Sequence, residues 1–327
     1  MREPHFWTVT DSRTRAAAPM LKLVLSPLAA VYRIAGQRRI AGAEPVDCGL
    51  PVICIGNLTL GGAGKTPLTE RVRAHYVSAG IRAASLSRGY RGSLTGVSRV
   101  DPARHTAGEV GDEPLMLSMS GESWISRDRP AGAAAMKTDG VQLIVMDDGH
   151  QNPSLKKTLS VVVIDATNPF GNGHVFPKGP LRERVADGIA RADAIVMMGE
   201  GPAPPALSGF GGILLRARLE PQSSLPPGRY VAFAGIGRPV RFFDSLQAQE
   251  GMQLIEGVPY PDHYLFSHAD LGFLTRLAAE RDARLVTTEK DFVRLPADMK
   301  DKVMRLRVRV HFEDEAAFSR LLSGVSV

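Results

Sequence analysis

Continuous apolar runs alternate with helix-like stretches over the first two thirds of the chain. Side chains that are apolar at consecutive positions are typical of strands buried on both faces; the runs are Pro51–Gly56, Ala83–Ser87, Val141–Met146, Leu159–Ile164 and Ala194–Met198. The helix-like stretches between them are Thr66–Ala79, Glu113–Ser120, Ala131–Lys137 and Leu181–Ala192. This alternation predicts an α/β fold with a doubly wound parallel sheet, in which ligands bind at the carboxyl ends of the strands.

A cluster of proline and glycine over residues 201–212 interrupts this pattern, and such breakers mark boundaries between units. A strand-like segment at Ile213–Leu219 and a second breaker cluster come next, and then another α/β set follows. Its segments are Tyr230–Ala234, Phe242–Gln249, Gln253–Gly257, Asp270–Arg281, Arg284–Thr287 and Met304–Val310. The sequence therefore predicts a larger domain over residues 46–210 and a smaller α/β domain over residues 211–327.

The first 45 residues form a separate predicted segment. Residues 16–35 are mostly apolar, but two prolines, a lysine and an arginine interrupt them, which argues against a bilayer span, and no signal-peptide cleavage pattern is present. Aromatic residues precede this stretch and arginines lie in or after it, namely Phe6, Trp7, Arg33, Arg38 and Arg39. The combination fits a segment that lies in a membrane interface, and equally a helix docked on its own domain.

Composition narrows the class of protein only a little. Of the 327 residues, 44% are hydrophobic and 23% are charged, which is the balance of a globular protein. The net charge of +6 suits an anionic partner such as a nucleotide, a nucleic acid or an acidic membrane, without selecting one. Cys48 and Cys54 are the only cysteines, so a disulfide framework and a zinc cluster are excluded and a reducing compartment is expected.

A glycine-rich loop that ends in Gly-Lys-Thr directly follows the first predicted strand. Backbone N–H groups of such a loop surround phosphate oxygens, Lys65 adds positive charge at the β- and γ-phosphates, and the Thr66 hydroxyl can bind Mg²⁺. The spacing departs from the strict motif because Thr59 stands where a glycine is expected. The loop nevertheless predicts a triphosphate site rather than a plain strand-to-helix turn; its residues are Gly61, Gly62, Ala63, Gly64, Lys65 and Thr66.

Carboxylates and a histidine are the other candidates for chemistry. Asp147 and Asp148 end a predicted strand, where they could bind Mg²⁺ beside the phosphates. Asp112 and Glu113 begin a predicted helix; they could act as a simple helix cap, or one could accept a proton while the other holds Mg²⁺. His263 could share a proton with a carboxylate across the cleft, or be a histidine of a surface loop.

Arginines in loops are candidate phosphate ligands. Arg88 and Arg91 lie in a turn after a strand, and Arg182 lies at a loop-to-helix junction. Each could bind phosphate, or remain in a solvated turn or an exposed ion pair. The charged cluster Thr287–Asp291 could serve an interdomain hinge or be solvated. Three arginines alternate along the last predicted strand and are expected to face water, namely Arg305, Arg307 and Arg309.

Together these segments resemble the tetraacyldisaccharide 4'-kinase family of lipid A biosynthesis, over nearly the whole chain. The segments that carry the resemblance are Gly56-Asn57 with Gly61–Pro67, Ser87–Tyr90, Gly111–Pro114, Asp147–Gln151, Pro177–Glu183, Asp262-His263 and Thr287–Asp291. The resemblance implies a P-loop domain with a smaller lid-like domain, and transfer of phosphate from ATP to the 4'-hydroxyl of a tetraacylated glucosamine disaccharide 1-phosphate. It also implies peripheral attachment to the cytoplasmic face of the bacterial inner membrane through the N-terminal segment, and no nucleic-acid partner.

The resemblance further implies roles for single residues. For catalysis they are Asp112, His263, Lys65 and Arg182; for ATP they are residues 61–66 and Arg129; for Mg²⁺ they are Thr66, Glu113, Asp147 and Asp148. One stretch departs from the family pattern. After the paired aspartates the family usually reads Gly-Phe-Gln-His, whereas this chain reads Gly-His-Gln-Asn over residues 149–152. Position 152 is therefore asparagine where the family has histidine, and any role of that histidine is in doubt for this chain.

Two other interpretations remain open from the sequence. A P-loop GTPase or metallochaperone would need an Asn-Lys-x-Asp guanine motif, which the sequence does not contain; Glu289-Lys290-Asp291 does not match it. A peripheral membrane protein that binds nucleotide without catalysis would show the same loop, but would transfer no phosphate to a lipid.

Overall fold

A computed structural model describes residues 4–9, 14–222 and 225–327. Residues 1–3 and 10–13 of the predicted N-terminal segment, and residues 223–224 of the predicted smaller domain, lie outside the described residues. The strands are β1 (Val52–Asn57), β2 (Ala83–Ser87), β3 (Ser98–Arg99), β4 (Ser123–Ile125), β5 (Leu143–Asp147), β6 (Leu159–Asp165), β7 (Ala194–Met198), β8 (Ile213–Pro221), β9 (Gly228–Ala234), β10 (Met252–Pro259), β11 (Arg284–Thr288), β12 (Val303–Leu306) and β13 (Val308–Phe312).

The helices connect and cover these strands. In chain order they are α1 (Pro19–Ala41), α2 (Lys65–Ser78), α3 (Ala107–Val110), α4 (Asp112–Ser118), α5 (Arg129–Thr138), α6 (Val185–Ile189), α7 (Pro239–Gln247), α8 (His268–Glu280), α9 (Glu289–Phe292) and α10 (Glu315–Ser323). Short 3-10 helices occur at His5–Trp7, Arg15–Ala17, Pro205–Leu207 and Ala297–Lys302.

The larger sheet has nine strands in the order β13-β8-β7-β6-β1-β5-β2-β4-β3. Strand β1 pairs in parallel with β5 on one side and with β6 on the other. The chain passes from β1 to β2 on one side and later returns to β6 on the other side, so the strand order reverses beside β1. A crevice at such a reversal is where open α/β sheets bind ligands. The predicted parallel sheet is confirmed, and every residue of β1, β2, β5, β6 and β7 is buried, as their apolar runs indicate.

Helix α2 fixes the end of the glycine-rich loop against this sheet. Leu68, Val72 and Tyr76 recur every fourth residue, so they lie on one helix face, and all three are buried against the sheet. The Tyr76 hydroxyl donates a hydrogen bond of 2.7 Å to the Leu322 carbonyl oxygen of α10. The N-terminus of α2 is thereby held rigidly at the carboxyl end of β1.

A second, smaller sheet has four parallel strands in the order β10-β9-β11-β12. Helix α8 covers one face, where Leu271 and Leu274 pack with Phe233 of β9. Helix α7 covers the other face, where Phe242 and Leu246 pack with Tyr230. These elements match most of the segments that the sequence predicts for a second α/β set.

The two ends of the predicted smaller domain lie in the larger sheet instead. Strand β8 pairs with β7, and β13 pairs with β8 in antiparallel orientation, so both extend the nine-stranded sheet. Leu215 and Phe312 are buried in the core of the larger domain, which is the physical reason for this placement. The predicted strand Met304–Val310 is two strands, β12 and β13, in different sheets. The smaller unit is therefore an insertion between β8 and β13. The predicted boundary at residue 210 lies before β8, although β8 belongs to the larger sheet.

Candidate active site

A cleft of about 1920 Å³ runs between the two domains. It is bordered by the glycine-rich loop of the larger domain and by the loops after β9 and β10 of the smaller domain. Its other end reaches the C-terminal half of α1. The predicted loop, the predicted carboxylates and His263 all line this one cleft, apart from Asp112, which lies directly behind His263.

The glycine-rich loop is shaped by two glycines and one asparagine. Gly61 and Gly64 have φ angles of 111° and 88°, which residues with a Cβ rarely adopt. A Cβ at Gly64 would also lie 3.3 Å from Met198. The Asn57 side-chain amide donates to the Gly61 carbonyl oxygen at 3.3 Å and so braces the loop from below. Lys65 and Thr66 then begin α2 with their side chains in the cleft.

Asp148 lies between two cations beside the loop. Its carboxylate accepts two hydrogen bonds from Arg182 Nη1, at 2.8 and 3.0 Å, and one from Nη2 at 3.0 Å. The Lys65 ammonium lies 3.6 Å from Asp148 Oδ1. Burial would raise the pKa of Asp148, but the charges of Lys65 and Arg182 outweigh it and lower the pKa to about 2. Asp148 is therefore ionised at every physiological pH, and it holds both cations beside the loop.

Asp147 lies deeper, at the end of β5, and behaves in the opposite way. Its carboxylate accepts hydrogen bonds from the Thr69 hydroxyl at 3.1 Å and from the Thr66 hydroxyl at 3.5 Å. Burial raises its pKa to about 7, and the negative charges of Glu113 and Asp148 add to this effect. The contact makes the Asp147 carboxylate and the Thr66 hydroxyl the groups that would hold a cation beside the loop.

Arg182 is brought to the loop by a short backbone pairing. The Leu60 amide donates to the Pro180 carbonyl oxygen at 2.7 Å, and the Arg182 amide donates to the Leu58 carbonyl oxygen at 2.8 Å. Residues 180–182 are therefore extended, and the helix predicted over Leu181–Ala192 is confined to α6. The Arg182 side chain also donates from Nε to the Thr59 carbonyl oxygen at 3.2 Å.

Asp112 and His263 form a pair across the boundary between the two domains. Asp112 is the first residue of α4, and its Oδ2 lies 2.7 Å from His263 Nδ1. His263 has a left-handed backbone with a φ of 60°, and its amide donates to the Gly235 carbonyl oxygen at 3.0 Å. Burial would raise the pKa of Asp112, but the hydrogen bond from His263 and the charge of Arg294 lower it below its ordinary value. This is an ionised carboxylate with a histidine partner, the arrangement of a general base.

Arg294 is a site residue that the sequence analysis missed. Its side chain is fully buried, and its Nε donates to Asp112 Oδ2 at 2.8 Å. The signal that could have identified it is Asp291, three residues earlier, which lies in the charged cluster already noted and accepts from Arg294 Nη1 at 2.8 Å.

The remaining predicted residues lie around these groups. Glu113 is paired with Lys290 of the smaller domain at 3.5 Å. Arg129 begins α5 with a buried guanidinium, and burial lowers its pKa to about 10. Its Nη1 donates to the Ser126 carbonyl oxygen, and its Nε has no hydrogen-bond partner among the described residues. Arg88 and Arg91 line the cleft.

The stretch that departs from the family pattern has a structural role here. His150 is buried, contacts Ser160 Oγ at 3.1 Å and the Gly188 carbonyl oxygen at 2.9 Å, and burial lowers its pKa to about 3. It is thus a neutral core histidine. Gln151 donates to the Asn57 carbonyl oxygen at 2.8 Å, which supports the loop. Asn152 closes the following turn by accepting from the Ser154 amide.

Other arginines differ from their predicted exposure. Arg307 is half-buried, with Nε 3.0 Å from Glu289 Oε1, and Arg305 lies over the Phe292 ring at 4.9 Å. These contacts arise because residues 303–308 pass between the two domains rather than along one open sheet face. Arg309 is exposed, as the alternation predicts.

The oxygen ligands of the site suit Mg²⁺. In the part of the chain that the structure describes, no group of three or more histidine, cysteine or acidic side chains is arranged to hold a metal ion. Magnesium needs no such group, because it is usually bound by one or two protein ligands together with phosphate oxygens and water. The Thr66 hydroxyl and the Asp147 carboxylate meet that requirement beside the loop.

Fold and site together define a P-loop nucleotide-binding protein with an inserted second domain. A family described as Tetraacyldisaccharide-1-P 4'-kinase matches residues 21–326. A tetraacyldisaccharide 4'-kinase from Hyphomonas neptunium is 54% identical over 326 residues, which are 99% of this chain and 98% of the relative. One from Phenylobacterium zucineum is 47% identical over 332 residues, with 98% of each chain covered. The chain therefore belongs to the tetraacyldisaccharide 4'-kinase family.

A solved structure has the same overall fold. The crystal structure of an "apo" form of LpxK from Aquifex aeolicus in complex with ATP is similar to this chain with a TM-score of 0.73. The likeness covers 93% of this chain and 99% of that chain, at 24% sequence identity. At this identity it supports the fold, while the family rests on the closer relatives.

Proposed function

We propose that the protein transfers the γ-phosphate of ATP to the 4'-hydroxyl of a tetraacylated glucosamine disaccharide 1-phosphate, a lipid A precursor. Membership of the family makes it an ATP-dependent kinase of lipid A biosynthesis. The observation that carries the proposal is the Asp112–His263 pair, whose members are 2.7 Å apart and whose histidine lines the same cleft as the glycine-rich loop. A nucleotide switch would not need a base positioned at that cleft.

The residues of the cleft divide the work of phosphoryl transfer. Asp112 accepts the proton of the acceptor hydroxyl while that oxygen forms its bond to the γ-phosphorus. The bond from the γ-phosphorus to the β,γ-bridging oxygen breaks, and its electron pair leaves on ADP. Lys65 and Arg182 stabilise the negative charge that spreads over the transferring group, and His263 holds Asp112 ionised and oriented.

Mg²⁺ belongs to the proposal as the partner of ATP. The Thr66 hydroxyl and the Asp147 carboxylate would hold it, because they are 3.5 Å apart beside the loop. When bound, the ion neutralises charge on the β- and γ-phosphates. Asp148 and Glu113 are engaged with Arg182 and Lys290, so their contribution is to place those cations and to add negative potential around the ion.

The exposed face of α1 supports attachment to a membrane surface. No helix in the described residues is long and apolar enough to cross a bilayer. Met20, Val24, Leu28 and Val31 are spaced three or four residues apart and are 84%, 70%, 58% and 66% exposed. An exposed apolar stripe of this kind fits an interfacial helix, and the C-terminal half of the same helix borders the cleft. We place the protein at the cytoplasmic face of the bacterial inner membrane.

Trp7 does not contribute to that interface. It is 6% exposed, its ring packs edge-on against Phe176 at 5.9 Å, and its Nε1 donates to the Pro177 carbonyl oxygen at 3.1 Å. The two interpretations of the N-terminal segment thus apply to different parts of it. Residues 5–7 dock on the larger domain, while α1 presents apolar side chains outward.

A label-transfer assay tests the function. Purified protein is incubated with γ-labelled ATP, Mg²⁺ and the tetraacyl disaccharide 1-phosphate in detergent micelles, and label in the lipid is measured. We expect transfer by the wild type, and a loss of roughly 100-fold or more in kcat for Asp112→Asn with ATP affinity retained. Absence of lipid labelling by the wild type would reject the kinase, and titration calorimetry with GTP in place of ATP would expose a guanine-nucleotide switch.

A further inference from the structure

The surroundings of Asp112 are asymmetric between its two carboxylate oxygens. Oδ2 accepts from His263 Nδ1 at 2.7 Å and from Arg294 Nε at 2.8 Å. Among the described residues, no hydrogen bond reaches Oδ1. A carboxylate held by two donors on one oxygen has its rotation about χ2 restricted, and the other oxygen keeps its lone pairs for a further partner.

Arg294 is itself held in place from three directions. Its Nη1 donates to Asp291 Oδ1 at 2.8 Å and to the Gly235 carbonyl oxygen at 3.0 Å, while its Nε reaches Asp112. Asp291 is anchored in turn, because its amide and its carboxylate both bind the Thr288 hydroxyl at the N-terminus of α9. The guanidinium therefore has one geometry, and that geometry points Nε across the domain boundary.

The same scaffold also positions His263. The Gly235 carbonyl oxygen accepts both from Arg294 Nη1 and from the His263 amide at 3.0 Å. A Cβ at residue 235 would lie 3.1 Å from Asp291 Oδ1 and 3.1 Å from the Pro261 carbonyl oxygen, so no larger residue fits there without displacing them. Gly235 thus links the two donors of the smaller domain that bind Asp112 of the larger one.

We propose that Arg294 is a positioning residue, which together with His263 occupies Asp112 Oδ2 and so directs Oδ1 toward the acceptor hydroxyl. The inference rests on the proposed function, because it assumes that Asp112 is the base. The guanidinium is fully buried and does not line the cleft, so its effect on the reaction would pass through Asp112. Since both donors come from the smaller domain, the base is oriented only when that domain is docked against α4.

Two variants of Arg294 test this with kcat, KM for ATP and acceptor, and the pH profile of kcat. Arg294→Met should lower kcat by roughly 30-fold or more with both KM values within about threefold, because the fault lies in orientation rather than in binding. The acid limb should move to higher pH, since the carboxylate loses a stabilising cation. Arg294→Lys keeps the charge and should recover about tenfold in kcat with the acid limb near that of the wild type.

Arg307→Met is the matched control for loss of an interdomain arginine. Arg307 contacts Glu289 at 3.0 Å and Glu70 of α2 at 3.9 Å, away from Asp112. We expect it to leave the acid limb where it is in the wild type. An acid limb that moves equally in both variants would overturn the proposal, because a general weakening of the domain contact would then explain the result.

A double-mutant cycle with Asp112→Asn separates positioning from other roles. If Arg294 acts through Asp112, Arg294→Met should cost less than about twofold in kcat when Asp112 is already replaced. A further loss of 30-fold in that background would overturn the proposal, as would wild-type kcat in Arg294→Met.

If Arg294→Met is not folded by circular dichroism, Arg294→Lys takes its place: reduced kcat with unchanged KM supports the proposal and wild-type kcat overturns it. If Asp112→Asn keeps wild-type kcat, Arg294 has no base to position, while lipid labelling by the wild type still upholds the kinase.

Discussion

Two adjacent aspartates at the end of β5 have opposite acid–base behaviour because of what surrounds each one. Asp148 lies between Arg182 and Lys65, so its pKa falls to about 2. Asp147 is buried beside the negative charges of Glu113 and Asp148, so its pKa rises to about 7 although the Thr69 and Thr66 hydroxyls donate to it. Neighbouring residues thus supply one carboxylate that is always ionised and one that titrates near pH 7.

The raised pKa of Asp147 predicts a measurable effect on stability. A carboxyl group whose pKa is higher in the folded state than in the unfolded state stabilises the fold below its unfolded pKa, and this is lost as pH rises through about 7. Without nucleotide, Asp147→Asn should therefore raise the melting temperature at pH 8, by about 2 to 4 °C, and change it little at pH 5. Thermal unfolding at both pH values checks this; a variant that is less stable at pH 8 would contradict it.

The same group predicts proton release when Mg·ATP binds. Metal coordination requires the ionised carboxylate, so binding near pH 7 should displace the proton that part of the population carries on Asp147. Affinity should accordingly rise with pH up to about 7 and level off above it. Calorimetry in two buffers of different ionisation enthalpy measures the proton directly, and Asp147→Asn serves as the control in which release should be absent.

At the scale of single elements, buried strands were the easiest to predict. Both faces of the sheet are covered, so its buried strands are continuous apolar runs that stand out in the sequence. These strands are β1, β2, β5, β6 and β7. Of the helix predicted over Leu181–Ala192, only residues 185–189 are helical. The start of the segment is extended because it pairs with residues 58–60, and such long-range pairing leaves no local pattern.

The candidate site was predictable to a similar extent. Lys65, Thr66, Asp147 and Asp148 stand in local contexts that indicate phosphate and metal chemistry, and the structure places them at one cleft. Asp291 could have marked Arg294 as a paired arginine, but nothing near it in the sequence shows that it crosses to Asp112 of the other domain. Contacts between domains depend on the docked arrangement, which a one-dimensional pattern does not contain.

The exposed apolar side chains of helix α1 predict that this helix binds membranes. Replacing Leu23, Val24, Leu28 and Val31 by serine removes exposed apolar side chains, so binding to anionic phospholipid vesicles should fall by about tenfold or more while the fold is kept. Sedimentation with vesicles measures the bound fraction, and circular dichroism confirms the fold.

A matched control for that experiment lies on the smaller domain. Leu265 and Phe273 are 71% and 49% exposed, far from α1 in the chain. Serine at both positions should leave vesicle binding at the wild-type level. If these substitutions reduce binding as much as the changes in α1, attachment is not specific to that helix.

At the scale of the whole molecule, the smaller domain is an insertion whose two ends lie side by side. Pro221 pairs with Val308, and the Gln222 amide donates to the Arg307 carbonyl oxygen at 2.9 Å. Further contacts cross between the domains, because Arg238 and Arg241 at the start of α7 both bind Asp165 at the end of β6.

Adjacent ends predict that the insertion can be removed. Joining Gln222 to Arg307 through an Asn-Gly turn should give a hairpin of β8 and β13 and leave the nine-stranded sheet intact. The shortened protein should unfold cooperatively by circular dichroism but transfer no phosphate, because His263 and Arg294 are gone. Failure to unfold cooperatively would mean that the larger domain depends on the insertion for its fold.

The antiparallel pair of β8 and β13 has a mechanical consequence. The only covalent connections to the inserted domain pass through this pair, so any swing of that domain turns about a single pivot rather than between separated anchors. Asp112 belongs to the larger domain and His263 to the inserted one. A swing about this pivot would therefore part the two side chains, and we expect a half-open enzyme to lose the chemical step without any inhibitor.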